Sequence, residues 1–171
     1  MDELSLAYYA GLLDGEGHIG IHRTVRKRDQ GVQYGGRMSL RMSEREVIEQ
    51  FAEDFGLSAG PANCGTRHAK REVFGVSAEG RRSRVLLEQL LPYLRVKRAQ
   101  AELVIRLEAE KREPGLRSRK IPTSRLMPGG VVVRSTASAI GPETIARWEA
   151  MYVEVRKLNR PEHEIAPRPA G

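Results

Sequence analysis

The sequence predicts an α+β domain, with a helix, a hairpin, a second helix, a second hairpin and then further helices in that order. Two switches of hydrophobic period carry this reading. Apolar residues at helical spacing up to Leu13 give way from His18 to alternation with period two, and after Ser43 the helical spacing returns. Length is the third observation: 171 residues suit one core rather than two large lobes, so residues 1–160 are taken as one domain followed by a tail, 161–171.

The first helix begins near Asp2, whose side chain can cap it, with Glu3 suited to its positive N-terminal end. Leu4, Tyr8 and Leu12, flanked by Leu6 and Leu13, offer apolar surface for a core. Ala7, Gly11 and Gly15 recur every four residues and let another backbone approach closely. Gly15 and Gly17 are expected to unwind the helix, which delivers Asp14 and Glu16 at its end. In the first strand Ile19, Ile21 and Val25 share one side, and His22, Thr24, Arg26 and Arg28 the other. Asp29, Gln30 and Gly31 read as a turn. The second strand, about Tyr34 to Ser43, turns Met38, Leu40 and Met42 to one face and Arg37, Ser39 and Arg41 to the opposite one. The hairpin thus buries one side and presents Arg, His, Thr and Ser on the other.

Ser43 and Glu46 form a capping-box pattern before a helix from Glu44 to about Phe55, with Gly56 beyond its end. Gly60 and Pro61 mark a loop. A second hairpin is placed near Asn63 to His68 and Arg71 to Ala78, with Phe74 and Val76 toward the core and Arg67, His68 and Arg71 near the turn. A helix over Arg81 to Leu94 carries a stripe of Val85, Leu86, Leu87, Leu90, Leu91 and Leu94, interrupted by Pro92. A further helix, Arg95 to Glu113, turns Val96, Leu103, Val104 and Leu107 inward. Pro114 to Gly141, rich in Gly, Pro, Ser and Arg, read as a long basic loop, either a solvated connector or a nucleic-acid arm. Pro142 opens the last helix, whose buried side is Ile145, Trp148, Tyr152, Val155 and Leu158. The tail from Pro161 lacks apolar periodicity and is expected to be disordered.

Composition narrows the partners. Lys plus Arg number 29 against 22 Asp plus Glu, a net charge of +7 that favours a polyanion. The basic residues are spread over strands and loops rather than one face of an amphipathic helix, which favours nucleic acid over a membrane surface. Cys64 is the sole cysteine, so neither an internal disulfide nor a thiolate metal cluster is expected. No apolar run approaches the roughly 20 residues of a membrane span, and the start MDEL lacks a basic signal-peptide region. A soluble, intracellular protein of the cytoplasm, nucleoid or organelle matrix is expected.

Carboxylates at a helix end beside a basic sheet suit divalent-metal-dependent cleavage of a phosphodiester. Mg²⁺ takes oxygen ligands and is commonly held by one or two carboxylates together with substrate phosphate. A histidine metal site from His18 and His22 would need further ligands.

The stretch YAGLLDGEG, Tyr9 to Gly17, resembles the signature of the LAGLIDADG homing endonucleases. It keeps Ala10, Gly11, Leu12, Asp14 and Gly17, with Leu13 for isoleucine and Glu16 for the second acid. From Asp2 to Glu113 the element order also resembles that family's αββαββα core. The resemblance implies a basic DNA-binding β-sheet saddle, additional C-terminal helices and a metal-dependent, sequence-specific double-strand DNA endonuclease of the kind used in intron homing. An RNA maturase or DNA-binding regulator without cleavage is the alternative use of that scaffold.

Carried onto this chain, the resemblance makes Glu16 and the Gly15 carbonyl ligands of Mg²⁺, with Mn²⁺ as another divalent choice, and gives Asp14 supporting contacts at the helix ends. PYLRVKRAQ, Pro92 to Gln100, resembles the segment bearing the active-site lysine, here Lys97, whose other reading is a solvent-facing helix residue. Glu44 matches a polar position that organises active-site water, its other reading being a capping acid. A basic position of that network falls on Ile48, a departure from the family. One motif copy implies a homodimer paired through Ala7, Tyr8, Gly11 and Leu12 on a near-palindromic site. Strand parity nominates His22, Thr24, Arg26, Arg28, Gln33, Arg37, Ser39 and Arg41 as DNA contacts, joined by Arg67, His68 and Arg71 of the second hairpin.

Overall fold

The computed structural model describes residues 1–25, 32–62, 72–113, 119–126 and 132–160, with the strands at 119–126 and 132–139 described by their backbone alone. Helix α1 (Glu3–Glu16) runs into β1 (Gly17–Val25), which pairs antiparallel with β2 (Val32–Met42). Helix α2 (Arg45–Asp54) leads to the short β3 (Ala59–Pro61) and to β4 (Phe74–Glu79). Helices α3 (Arg81–Leu90) and α4 (Arg98–Glu110), a ribbon of β5 (Arg119–Leu126) and β6 (Val132–Ala139), and α5 (Pro142–Leu158) complete the order. The main sheet has the order β1-β2-β4-β3, antiparallel throughout, so β1 is an edge strand.

Alternation along the hairpin decides which sheet face is buried. Ile19, Ile21, Tyr34, Met38 and Leu40 point into the core, joined by Val76 and Ala78 of β4. The helices close over that face with Phe51, Leu87, Leu90, Val104, Leu107, Trp148 and Val155, and among the described residues no helix covers the opposite face. Asp2 caps α1 as expected, its Oδ1 accepting the Ser5 N–H at 2.8 Å. Gly36 of β2 lies so close to α4 that a Cβ there would sit 2.6 Å from Val104 Cγ1. Its N–H donates to buried Glu108 at 2.8 Å, and its carbonyl accepts from the Gly80 N–H at 2.8 Å.

Several expectations need correction. The core side of α1 is Tyr9, Ala10 and Leu13, while Leu4 and Tyr8 stay exposed, because this helix is apolar on two faces and periodicity could not choose between them. The helix runs through Gly15 and ends at Gly17, so Asp14 and Glu16 lie in its last turn. Val25 is half exposed, since β1 outruns the helices that cover it. The capping box at α2 does not form: Ser43 Oγ donates to the Glu44 carboxylate at 2.8 Å, and Glu44 is the cap residue without a side-chain bond to the helix. Gly60 and Pro61 belong to β3 instead of a loop, at the sheet edge where a missing N–H is tolerated. Val85, Val96 and Leu158 are exposed rather than buried, and Met151 takes a core position instead. The long basic loop contains the antiparallel β5–β6 ribbon. The expected strand at 63–68, the turn at 29–31 and the tail lie outside the described residues.

Candidate nucleic-acid and metal site

The uncovered sheet face is built by register. His18 faces Ser39, Gly20 faces Arg37, His22 faces Gly35 and Thr24 faces Gln33, so the even positions of β1 and the odd positions of β2 share one surface. His22, Thr24, Gln33 and Arg41 are exposed there, Arg37 is partly so, and Ser39 is recessed at 9% exposure. Two glycines leave room for imidazoles to lie flat on the sheet. A Cβ at Gly35 would fall 2.4 Å from His22 Cε1, and one at Gly20 would fall 2.9 Å from His18 Nε2. Arg37 Nε, buried and without a hydrogen-bond partner among the described residues, stands 3.5 Å from Glu79 Oε1 of β4 as an ion pair.

Glu16 joins this face. It is exposed in the last turn of α1 and lines a groove of about 440 Å³ together with His18, Gly20, Ile21, His22, Arg37, Ser39 and Arg41. No salt bridge ties it to another described residue.

Behind it, α1 and the start of α4 hold each other. The Asp14 carboxylate accepts the main-chain N–H groups of Arg95 (2.8 Å), Val96 (3.1 Å) and Lys97 (2.8 Å). In return Lys97 Nζ donates to the carbonyls of Leu13 (3.0 Å) and Asp14 (2.6 Å), which the end of a helix leaves open. Burial raises the Asp14 pKa, but these N–H groups and the Lys97 charge more than offset it and hold the carboxyl below its usual range. Burial pushes the Lys97 ammonium down, against the opposing pull of Asp14 and Glu16. Burial also lowers the His18 pKa, with Arg37, Lys97 and Arg41 acting in the same direction.

No family model matches the chain. It is 33% identical over 110 residues to the DNA endonuclease I-CvuI of Chlorella vulgaris, a stretch covering 62% of this chain and 65% of that protein, slightly less than two thirds of the relative's length. The crystal structure of I-CvuI with its DNA target matches at a TM-score of 0.66 and 18% identity, covering 93% of this chain and 84% of that one. An archaeal intron-encoded homing endonuclease, I-Vdi141I, complexed with DNA, also matches at 0.66, with 13% identity, over 100% of this chain and 91% of its own. The LAGLIDADG homing endonuclease I-GzeII, in complex with a DNA target, matches at 0.58 with 12% identity, covering 96% of this chain but 52% of its own. This chain has the LAGLIDADG homing endonuclease fold. The four-stranded sheet and its covering helices are that fold's parts, and the stretch Tyr9 to Gly17 forms the end of α1 and the first residue of β1.

Against the LAGLIDADG expectations, Glu16, Lys97, Asp14 and the sheet face come together around one helix end. Glu44 does not join them: it is exposed, bound by Ser43 and absent from the groove lining. Ile48 is fully buried, and Arg45 nearby is held by Glu49 at 2.7 Å and lies over Phe74. Arg26, Arg28, Arg67, His68 and Arg71 lie outside the described residues. Ala7, Tyr8 and Gly11 are exposed on α1 and Leu12 is half-buried, leaving a narrow apolar face in which a Cβ at Gly11 would meet nothing within 4 Å.

The donors at the helix end fit a hard cation. Lys97 occupies the Leu13 and Asp14 carbonyls, no described group outside the helix donates to the Gly15 carbonyl, and Glu16 is exposed without an ion pair to another described residue. Among the described residues no three His, Cys, Asp or Glu cluster as a self-sufficient metal site would require. A sparse oxygen set suits Mg²⁺ shared with a phosphate, and not a structural zinc. Sequence reasoning weighed His18 only as a metal ligand beside His22 and did not count it as a lining residue; it missed the Asn159 Nδ2 bond to the Ile19 carbonyl at 2.8 Å, because a contact 140 positions away leaves no local pattern.

Proposed function

We propose that this chain is one half of a homodimeric, Mg²⁺-dependent, sequence-specific double-strand DNA endonuclease. The observation that carries the reading is the exposed Glu16 in the same groove as a basic, uncovered sheet, with Lys97 fixed to the helix end beside it. The sheet, with Thr24, Gln33, Arg37 and Arg41, lies along a major groove, where charge attracts phosphate and side chains read base edges. Glu16 and the Gly15 carbonyl hold the cation. Bound there, the ion supplies Lewis acidity and charge at the scissile phosphate. Asp14 holds the 95–97 main chain in place, which fixes Lys97 so that its ammonium opposes negative charge developing on the phosphate.

Coverage of nearly the whole chain of I-Vdi141I but about half of I-GzeII supports a single-motif unit that works in pairs. The exposed face of Leu4, Ala7, Tyr8 and Gly11 is the dimer contact, and the two copies bring their Glu16 carboxylates together on the axis. Incubation with a randomised pool of DNA sites and Mg²⁺, followed by sequencing of cut ends, tests the reading. A recurrent near-palindromic cut site is expected, and binding without cut ends would contradict it.

That second outcome describes the non-catalytic reading, a DNA-binding regulator or RNA maturase, which the buried Ile48 and the displaced Glu44 favour.

A further inference from the structure

Beside the sheet face lies a second groove of about 470 Å³, between the outer edge of β1 and the C-terminal end of α5. It shares His18, Gly20, Ile21 and His22 with the groove that holds Glu16, so one surface continues around the edge strand. Its far wall is Arg156, Arg160, Tyr152 and Asn159, and among the described residues no carboxylate lines it.

The positive charge there is arranged and unspent. Arg156 donates through Nη1 to Tyr152 Oη at 3.2 Å and lies 5.5 Å above that ring, which restrains the side chain without neutralising it. Arg160 lies just beyond the end of α5 and lines the same groove. No salt bridge joins either guanidinium to a carboxylate among the described residues. Arg23, at the inner end, is different: Glu149 holds it at 3.1 Å. Asn159 ties the wall to the sheet by donating to the Ile19 carbonyl at 2.8 Å. That bond also shows that alternate residues of β1 turn their main chain outward, so the Ile21 N–H faces the groove.

We infer that this groove binds the phosphodiester backbone of duplex DNA where it leaves the sheet face, with Arg156 and Arg160 as sequence-independent phosphate contacts. The inference rests on the proposed DNA binding and adds a second contact line outside the base-reading strands. Phosphate contacts add affinity and salt dependence without changing which bases are read, each steepening the log–log salt slope by about 0.9.

Affinity of the full chain for its selected site and for an unrelated duplex of equal length, titrated across salt concentrations, tests the assignment. R156Q/R160Q is expected to weaken binding to both duplexes by a similar factor, about tenfold or more at moderate salt, and to flatten the slope by about 1.8 per protomer, about 3.6 for the bound homodimer. Lys157→Gln, which removes one charge from the same helix turn but off the groove, is the control and should leave the slope within half a unit. An unchanged slope in the double variant, a loss confined to the selected site, or an equal effect of Lys157→Gln would overturn the assignment. Wild-type protein that binds duplex DNA without salt sensitivity would instead overturn the proposed function, and this contact line with it.

Discussion

Asp14 and Lys97, 83 positions apart, bind each other's main chain: the Asp14 carboxylate accepts the Lys97 N–H at 2.8 Å, and the Lys97 ammonium donates to the Asp14 carbonyl at 2.6 Å. Lys97 therefore closes the C-terminal end of α1, Asp14 fixes the main chain that leads into α4, and the exposed Glu16 stands on that joint.

Asp14→Asn leaves a neutral acceptor for three N–H groups and is expected to destabilise the fold by about 1–3 kcal/mol. Lys97→Met should destabilise by a smaller amount, because water can reach the freed carbonyls, yet reduce cleavage by about a hundredfold or more. Chemical denaturation and single-turnover cleavage of both variants, with a double-mutant cycle, check the split. A Lys97→Met enzyme at wild-type rate would make the lysine a purely structural cap.

A pH prediction follows from Glu110. Its carboxylate, 13% exposed, accepts from Arg106, Arg147 and the Trp148 indole and so joins α4 to α5. Burial pushes its pKa up, but the hydrogen bonds of Arg147, Arg106 and Trp148 more than offset that and hold it below its ordinary 4.5. A depressed carboxyl stabilises the fold above its unfolded-state pKa, and that stabilisation is lost as pH falls through the folded value. Denaturation between pH 7 and 3 should show the loss in the wild type, with a shallower pH dependence in Glu110→Gln and a lower stability at pH 7 by about 1–3 kcal/mol.

Two adjacent glycines of β2 should respond differently to alanine. At Gly36 the new Cβ meets Val104 and the Glu108 stem inside the core, so a loss of about 1–3 kcal/mol is expected. At Gly35 it meets the exposed His22 ring, which can swing away, so stability should change little while base preference shifts. Thermal unfolding and site profiling of the two variants separate these outcomes.

Gly11→Arg places a bulky charge where the exposed face of α1 has open space. Monomer stability should hold or rise slightly, since glycine is a poor helix residue. The mass by analytical ultracentrifugation should halve, and cleavage should disappear.

Much of this was legible in the sequence where a local period carried it. The β1–β2 hairpin and its basic face followed from alternation at Ile19, Ile21, Met38 and Leu40, and the register confirms the parity. Periodicity failed on α1, where Leu4 and Tyr8 are as apolar as Tyr9 and Leu13 but face solvent. It also failed for the β5–β6 ribbon, where Pro122 and many small residues masked the pairing. The Asp14–Lys97 joint and the Asn159 tether depend on tertiary proximity, so no local pattern could announce them.

Cleavage and binding by Glu16→Gln, measured side by side on the selected site with Mg²⁺, test the central claim most directly. The account predicts that cleavage falls below detection while affinity stays within a few-fold of wild type. A variant that cuts at the wild-type rate would contradict it.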